Sequence, residues 1–509
     1  MIEPKDTLKS VTSSGIEPYA QPCLMKLNAN ENYLGPSPRV MKKLEKISIK
    51  EVSNYPFYGK LTEILADLHK VSQNQILLTG GVDEAMRAIT DTYLTRENTV
   101  ISAAPTSKMP QIYTTVAGAE FRKVFYKEKW RFPQEEFLQA IDEKVKIILF
   151  TTPNNPTGDI IPAEFIEKTA MRHPEKLVVI DESFAMYAGF SHVVLCKKYE
   201  NIAVVRSFSK DYGLAGLRIG YIVTNSENIA NIKKVLCPYP VGSAAVIAAE
   251  EAVCDKKYID FLKNENTRAK EYLKNELSRL DGVVYPSYTN FLLVDFNERA
   301  GEIYEKLARQ GIFVKKYENG MLKNHLRITV PSLNAAKRLV SVLSPENLFI
   351  FDLDGVVSDR SGISGKNESN EELLISLKML RGLDGEKALY SERSRQETED
   401  FIKKFNLQNV FSCIISNDDL PDGCKKPDIQ GLNIIIRKFF AKKTYFLGDT
   451  SDDMKCAKNA GIYGIGVLAP DDKSDGQKDF LYVCGAKYVI NHVNELPDAL
   501  KKLNQEQNY

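Results

Sequence analysis

Short apolar runs recur along this chain, and each ends in a polar or glycine-rich turn. Gln75–Thr79, Lys146–Phe150, Val178–Ile180 and Ile202–Val205 are the clearest in the first two-thirds. Such runs, bounded by turn signals, read as strands buried on both faces. The first ends in Gly80-Gly81, after which Val82–Ile89 reads as a helix with acids in its first turn. The second ends in Thr151–Gly158, where two prolines and a glycine fix an irregular loop. The third ends in Asp181-Glu182-Ser183-Phe184, and the fourth in the long motif Ser207–Gly220. Strand, turn and helix in alternation predict an α/β fold built on a parallel sheet. Ligands in such sheets sit at the carboxyl ends of the strands. Gly80, Asn155, Asp181 and Lys210 all fall at such ends.

The residue types at those ends suggest a chemistry. A lysine just past a buried strand, hemmed by hydroxyls and a Gly/Ala-rich turn, suits a Schiff-base amine. A basic surface loop is the plainer reading of Lys210. The spacing of Ser207, Ser209, Lys210 and Arg218 weighs against it, because the two serines and the planar arginine fork together suit a phosphate. Gly81, Val82 and Asp83 form a glycine turn into a helix start, a second phosphate-binding device, although such a turn alone is commonplace. Asp181 suits a carboxylate that keeps a pyridine nitrogen protonated, or serves as a helix cap. Asn155 could donate to a ring oxygen or simply shape its turn. Tyr55, in the turn Asn54-Tyr55-Pro56, is of too exposed a kind to be dismissed as core.

Composition removes other classes. The 509 residues allow two to four domains, and 68 Lys plus Arg against 67 Asp plus Glu leave no basic field for nucleic acid. The 8 cysteines are dispersed without a CxxC pair and the 5 histidines are scattered, so a zinc site has little support and a reduced, cytoplasmic protein is expected. The opening MIEPKDTLKSVTSSG lacks the apolar core of a secretory leader, and no run is long enough to span a membrane.

Segments LNANEN (27–32), NYP (54–56), GGVDEA (80–85), PNNPTG (153–158), DES (181–183), SFSKDYGLAGLRIGY (207–221) and LRITVP (326–331) resemble those of the fold-type I pyridoxal-phosphate enzymes, and most those of the histidinol-phosphate aminotransferases. The resemblance implies an aminotransferase fold, with a large parallel-sheet domain over 46–224 and a small α/β domain from 1–45 and 225–345. It implies pyridoxal 5′-phosphate as cofactor, held covalently by Lys210 with Asp181 at the ring nitrogen and Asn155 at the ring oxygen. Gly81, Val82, Asp83, Ser207, Ser209 and Arg218 would hold the cofactor phosphate. Tyr55 would reach the phosphate of a neighbouring subunit, implying a homodimer, and Arg327 would bind a substrate carboxylate or phosphate. Two departures stand out. Phe184 replaces a tyrosine whose hydroxyl meets the ring oxygen, so the imine should stay protonated to higher pH. Pro110, in Pro105–Pro110, falls where a ring-stacking tyrosine is expected and offers only an apolar face.

The pattern restarts after the break Ser344–Asn347. Leu348–Phe351 reads as a strand running into Asp352-Leu353-Asp354-Gly355. Paired carboxylates beyond a buried strand can bind Mg²⁺, with Asp352 as nucleophile and Asp354 as proton donor. An Asp-rich turn is otherwise ordinary. Here Ser391 follows a second strand, Lys426-Pro427 reads as a helix start, and Thr444–Leu447 leads into Asp449 and Asp453, further candidate Mg²⁺ ligands. Together these resemble the haloacid-dehalogenase-type phosphatases over residues 348–500, which implies a domain over 346–509 with Ser391 and Lys426 contacting substrate. The intervals Asp354–Ser391 and Ser391–Lys426 are too short for a cap domain, so a capless, Rossmann-like domain is expected, open unless another part of the assembly or the Ser361–Glu372 segment covers it.

The expected function is bifunctional. A transaminase, drawing on glutamate and 2-oxoglutarate, would act on a small phosphorylated amino or keto substrate, as in histidinol-phosphate synthesis. A Mg²⁺-dependent phosphatase would then act on its product. The alternatives are decarboxylation of phosphoserine or phosphothreonine before dephosphorylation, favoured by Phe184 and Pro110; transamination of another keto-phosphate; and a phosphatase-like half that only binds or dimerises.

Overall fold

The computed structural model describes residues 23–359, 371–421, 423–439, 441–469 and 474–506, together with 3, 5–9 and 11. Most of the N-terminal fifteen residues and of the Ser361–Glu372 segment lies outside the described residues. The chain divides into two compact units, Met1–Ser341 and Val342–Tyr509.

The first unit is built on a seven-stranded sheet. Its order is Ile76–Thr79, Gly220–Val223, Ile202–Ser207, Leu177–Asp181, Val145–Thr151, Thr99–Ala104 and Glu120–Phe125. The strands from Ile202–Ser207 to Glu120–Phe125 are parallel, as their continuous apolar runs predict. Gly220–Val223 departs from that expectation: it runs antiparallel to both neighbours, which makes the sheet mixed. Its direction follows from the Ser207–Gly220 motif, which returns as a compact loop instead of a crossover helix. Every residue of Ile202–Ser207 is buried. A second sheet has the order Met25–Leu27, Ile312–Lys316, His325–Thr329, Phe291–Asp295 and Val283–Val284. In it Lys315 pairs with Arg327.

The second unit holds a six-stranded, wholly parallel sheet. Its order is Cys413–Ile415, Glu386–Tyr390, Asn347–Asp352, Lys443–Gly448, Tyr463–Val467 and Tyr488–Ile490. Among the described residues, the interval from Asp354 to the strand Glu386–Tyr390 holds only a two-stranded hairpin, Ser358–Asp359 with Glu372–Leu373, and the helix Leu377–Gly382. The helix expected to start at Lys426-Pro427 instead runs Gln430–Phe439. The lysine is left in a loop because a residue preceding proline is pushed out of helical geometry. No helix among the described residues is long and apolar enough to cross a membrane.

Candidate functional site

In the first unit, Asp181 ends the Leu177–Asp181 strand, and its Oδ1 accepts from the Ser183 amide at 3.0 Å and the Ser183 hydroxyl at 2.6 Å. Burial nevertheless pushes its carboxyl up to about 6. Among the described residues this buried acid has no cationic partner in hydrogen-bonding range, and a pyridinium N–H would supply one.

Lys210 is brought to the same sheet edge by the strand Ile202–Ser207. Its Nζ donates to the Ala29 carbonyl at 2.7 Å. Burial first, and then the charge of Arg327, pull the amine down to about 8. The Lys210 carbonyl accepts from the Tyr187 hydroxyl at 3.2 Å, which fixes the backbone at the amine.

The phosphate cup forms where the Val82–Tyr93 helix starts. Gly81 caps that helix at φ +90°, and a Cβ there would stand 3.0 Å from Arg218 Nη2. Only glycine combines this backbone with so close an approach. Arg218 Nη2 lies 3.2 Å from Asp83 Oδ2, its Nη1 approaches Ser209 Oγ at 3.4 Å, and Ser207 Oγ accepts from the Ser209 amide at 3.0 Å. Helix N-terminus, two hydroxyls and a guanidinium thus converge, and these donors fit a phosphate ester.

Arg327 Nη1 donates to Asn155 Oδ1 at 2.5 Å and Nη2 to the Asn28 carbonyl at 2.5 Å. Its guanidinium lies 5.4 Å from the centre of the Phe291 ring, against whose face Phe184 packs edge-on at 5.3 Å. Phe184 is therefore part of an apolar shelf under Arg327. Arg327 and Asn155 border a cleft of about 870 Å³ that Ser107, Lys108, Lys315 and Tyr317 also line. Pro110 is not among the residues that line this cleft. It is buried in the Lys108–Val116 helix, against Met86 and Ile147, because the helix turns its apolar stripe to the core. Tyr55 lies apart from the cup: it is 77% exposed and stacks on Tyr239 at 4.2 Å.

The sequence reading missed the residues that brace the site. Asn154 donates to the Pro105 carbonyl at 3.0 Å and accepts from Thr106 Oγ1 at 2.8 Å, tying two loops together. Its place in a doubled-proline turn was the available signal. Arg206 bridges Glu182 at 3.0 Å and Asp211 at 3.6 Å, the neighbours in sequence of Asp181 and Lys210. An arginine inside an apolar run was the signal there.

In the second unit, oxygens of Asp352, Asp449 and Asp453 lie within 4.8 Å of one another. Lys426 Nζ bonds Asp352 and stands 2.7 Å from Asp453 Oδ1. Burial alone would lower this ammonium, but Asp352 and Asp453 hold it well above the usual lysine range. Burial and the Asp453 charge push Asp449 up to about 7. Three carboxylates against one ammonium leave a negative excess that a divalent cation fits. Asp354, expected in the metal set, is outside this cluster. Its carboxylate faces Arg393, at 2.5 Å from Nη2 and 3.1 Å from Nε. Arg393 is buried, also pairs with Glu371 at 2.6 Å, and its amide donates to the fully buried Ser391 Oγ at 3.1 Å. It was missed although it stands two residues after Ser391.

Comparison with known proteins agrees with this division. The family profile described as aminotransferase class I and II matches residues 22–343, and that described as haloacid dehalogenase-like hydrolase matches residues 366–467. The histidinol-phosphate aminotransferase of Clostridium novyi (strain NT) is 32% identical over 328 residues, 64% of this chain and 92% of the relative. The crystal structure of histidinol-phosphate aminotransferase from Sinorhizobium meliloti, in complex with pyridoxal-5′-phosphate, has a TM-score of 0.62 at 22% identity, covering 67% of this chain and 96% of that one. L-Threonine-O-3-phosphate decarboxylase from Porphyromonas gingivalis has a TM-score of 0.55 at 24% identity, covering 63% and 98%. At these identities the two structures share the fold, and the fold alone does not separate their reactions.

Proposed function

The chain belongs to the class I and II aminotransferase family, and from that premise we propose that its first unit is a pyridoxal-phosphate transaminase for a small phosphorylated substrate of the histidinol-phosphate kind. The fused haloacid-dehalogenase-like domain then removes phosphate from the product. The observation that carries the first half is the meeting, at one sheet edge, of a buried amine drawn to about 8 and a buried carboxyl raised to about 6, next to a phosphate cup.

Bound there, pyridoxal phosphate supplies an electron sink for bond breaking at the substrate α-carbon. Lys210 would hold the cofactor aldehyde and, once displaced by substrate, carry a proton at Nζ to and from that carbon, a task its lowered pKa suits. Asp181 would hold the proton on the ring nitrogen. Asn155 would steady the ring oxygen, and Gly81, Val82, Asp83, Ser207, Ser209 and Arg218 would grip the phosphate. Arg327 would take the substrate carboxylate or phosphate in its fork. Tyr55, exposed and away from its own cup, suits a role at a neighbouring subunit's site in a homodimer. The eight free thiols support a reducing compartment such as the cytoplasm.

In the second unit, Asp352, Asp449 and Asp453 would hold Mg²⁺, which neutralises and orients the phosphoryl group. Asp352 would attack phosphorus, with Lys426 keeping it ionised and aligned. Asp354 would pass a proton to the leaving oxygen.

A direct assay tests this reading. Glutamate added to the pyridoxal-phosphate-loaded chain should convert the cofactor to its amine form and yield 2-oxoglutarate. Carbon dioxide released from phosphoserine or phosphothreonine, with no 2-oxoglutarate, would favour the decarboxylase, the second reading that Phe184 supports.

A further inference from the structure

In the second unit, a cavity of about 200 Å³ opens at the carboxyl ends of the strands Tyr463–Val467 and Tyr488–Ile490. Gly355, Leu374, Leu468, Asn491, His492 and Val493 are among its walls. Gly355 also packs against Asp449, whose Oδ2 would lie 2.0 Å from a Cβ placed there. The cavity therefore begins one residue beyond Asp354 and against the acidic cluster. The leaving group of a phosphate ester must project from phosphorus on the side of the proton donor, and the residue that follows that donor, Gly355, is a wall of this cavity.

The walls are tied together. Asn494 donates to the Leu374 carbonyl at 3.1 Å and accepts from the Ser376 amide at 2.8 Å, which clamps the end of the hairpin to the turn after Tyr488–Ile490. His492 Nδ1 accepts from the Asn494 amide at 3.2 Å, so in the neutral ring the proton sits on Nε2 as a donor. Among the described residues no Asp, Glu, Lys or Arg lines the cavity. Its volume is below the roughly 300 Å³ at which drug-sized pockets begin.

We propose that this cavity is the leaving-group site of the phosphatase half, taking a small, uncharged, hydrogen-bonding ring of the alcohol portion of a phosphate monoester. The proposal rests on the phosphatase reading above. A carboxylate entering the cavity would lose its hydration with no cation among the described lining residues to meet it. The site therefore favours the phosphate ester of a ring-bearing amino alcohol over phosphoserine or phosphothreonine.

The test uses the full chain with Mg²⁺ and three substrates: histidinol phosphate, phosphoserine and acetyl phosphate. Wild type should hydrolyse histidinol phosphate with at least tenfold higher kcat/KM than phosphoserine. Leu374→Trp, which fills the cavity from its half-exposed rim, should raise KM for histidinol phosphate at least tenfold with a much smaller change in kcat. Its loss in kcat/KM should be at least tenfold greater for histidinol phosphate than for acetyl phosphate, whose acyl group is too short to reach the cavity. His492→Ala should move KM in the same direction, and histidinol alone should inhibit wild type more strongly than either variant. A preference for phosphoserine, or variants that lose all three substrates in equal proportion, would overturn the proposal while leaving phosphatase activity standing. If wild type releases no phosphate even from acetyl phosphate, the phosphatase reading itself fails and the leaving-group site with it.

Discussion

Asp181 and Arg393 show how much a single side chain carries here, and each gives a prediction. Asp181 is buried and its carboxyl is raised from the ordinary aspartate range to about 6. In the cofactor-free protein, the contribution of this group is full below about pH 4 and lost as pH rises through about 6, because the native state then has to bury a charge. A shift of about two units corresponds to about 3 kcal/mol. Asp181→Asn keeps the acceptor oxygen for Ser183 and removes the charge. Chemical denaturation of the cofactor-free variant at pH 8 should show it about 3 kcal/mol more stable than wild type, with the gap closing towards pH 4. Arg393 carries Asp354 and the nearly buried Glu371. Arg393→Ala removes the cation facing Asp354 and the nearer of two facing Glu371, the other being Lys404 at 3.9 Å, and should cost about 3 kcal/mol, read as a lowered denaturation midpoint of the second unit's transition. The candidate residues Asp181, Lys210, Asp352 and Asp449 were legible in the sequence because each stands at or just past the end of an apolar run. Their braces were not. Asn154, Arg206 and Arg393 act through partners distant in sequence, and only the folded chain brings those partners within reach.

At the scale of elements, the parallel strands were legible because both faces are covered, which leaves an unbroken apolar run in the sequence. Gly220–Val223 was not read as an antiparallel partner, since its direction depends on how the preceding loop returns rather than on its own residues. The packing of Pro110 was not legible either: a motif position says which residue stands there, while the helix phase decides which way it faces. The turn after Asn347–Asp352 shows an element constrained by its site. Gly355 has φ +76°, and a Cβ there would collide with the Asp449 carboxylate. Gly355→Ala should cost about 1–2 kcal/mol in backbone conformation alone and displace Asp449. Phosphate release, measured with saturating Mg²⁺, should fall at least tenfold while transamination continues.

At the scale of the whole molecule, the chain is an aminotransferase-family unit followed by a haloacid-dehalogenase-like unit. The break was visible in sequence as the turn-forming Ser344–Asn347 between two strand-rich patterns, one residue past the helix Leu333–Leu343. Each unit has its own sheet and hydrophobic core, so their chemistries should be separable. Lys210→Ala should abolish 2-oxoglutarate formation and leave phosphate release within about twofold of wild type. Asp352→Asn should do the reverse. The proposed link between the two halves is a phosphorylated small molecule, and the rest of the account depends on the first half holding its cofactor where the residues converge. The most direct test is borohydride reduction of the pyridoxal-phosphate-loaded full chain, followed by proteolysis and mass spectrometry. The account predicts one pyridoxyl-modified peptide, carrying the label on Lys210 and missing from Lys210→Ala. A label on another lysine, or undiminished labelling in that variant, would contradict it.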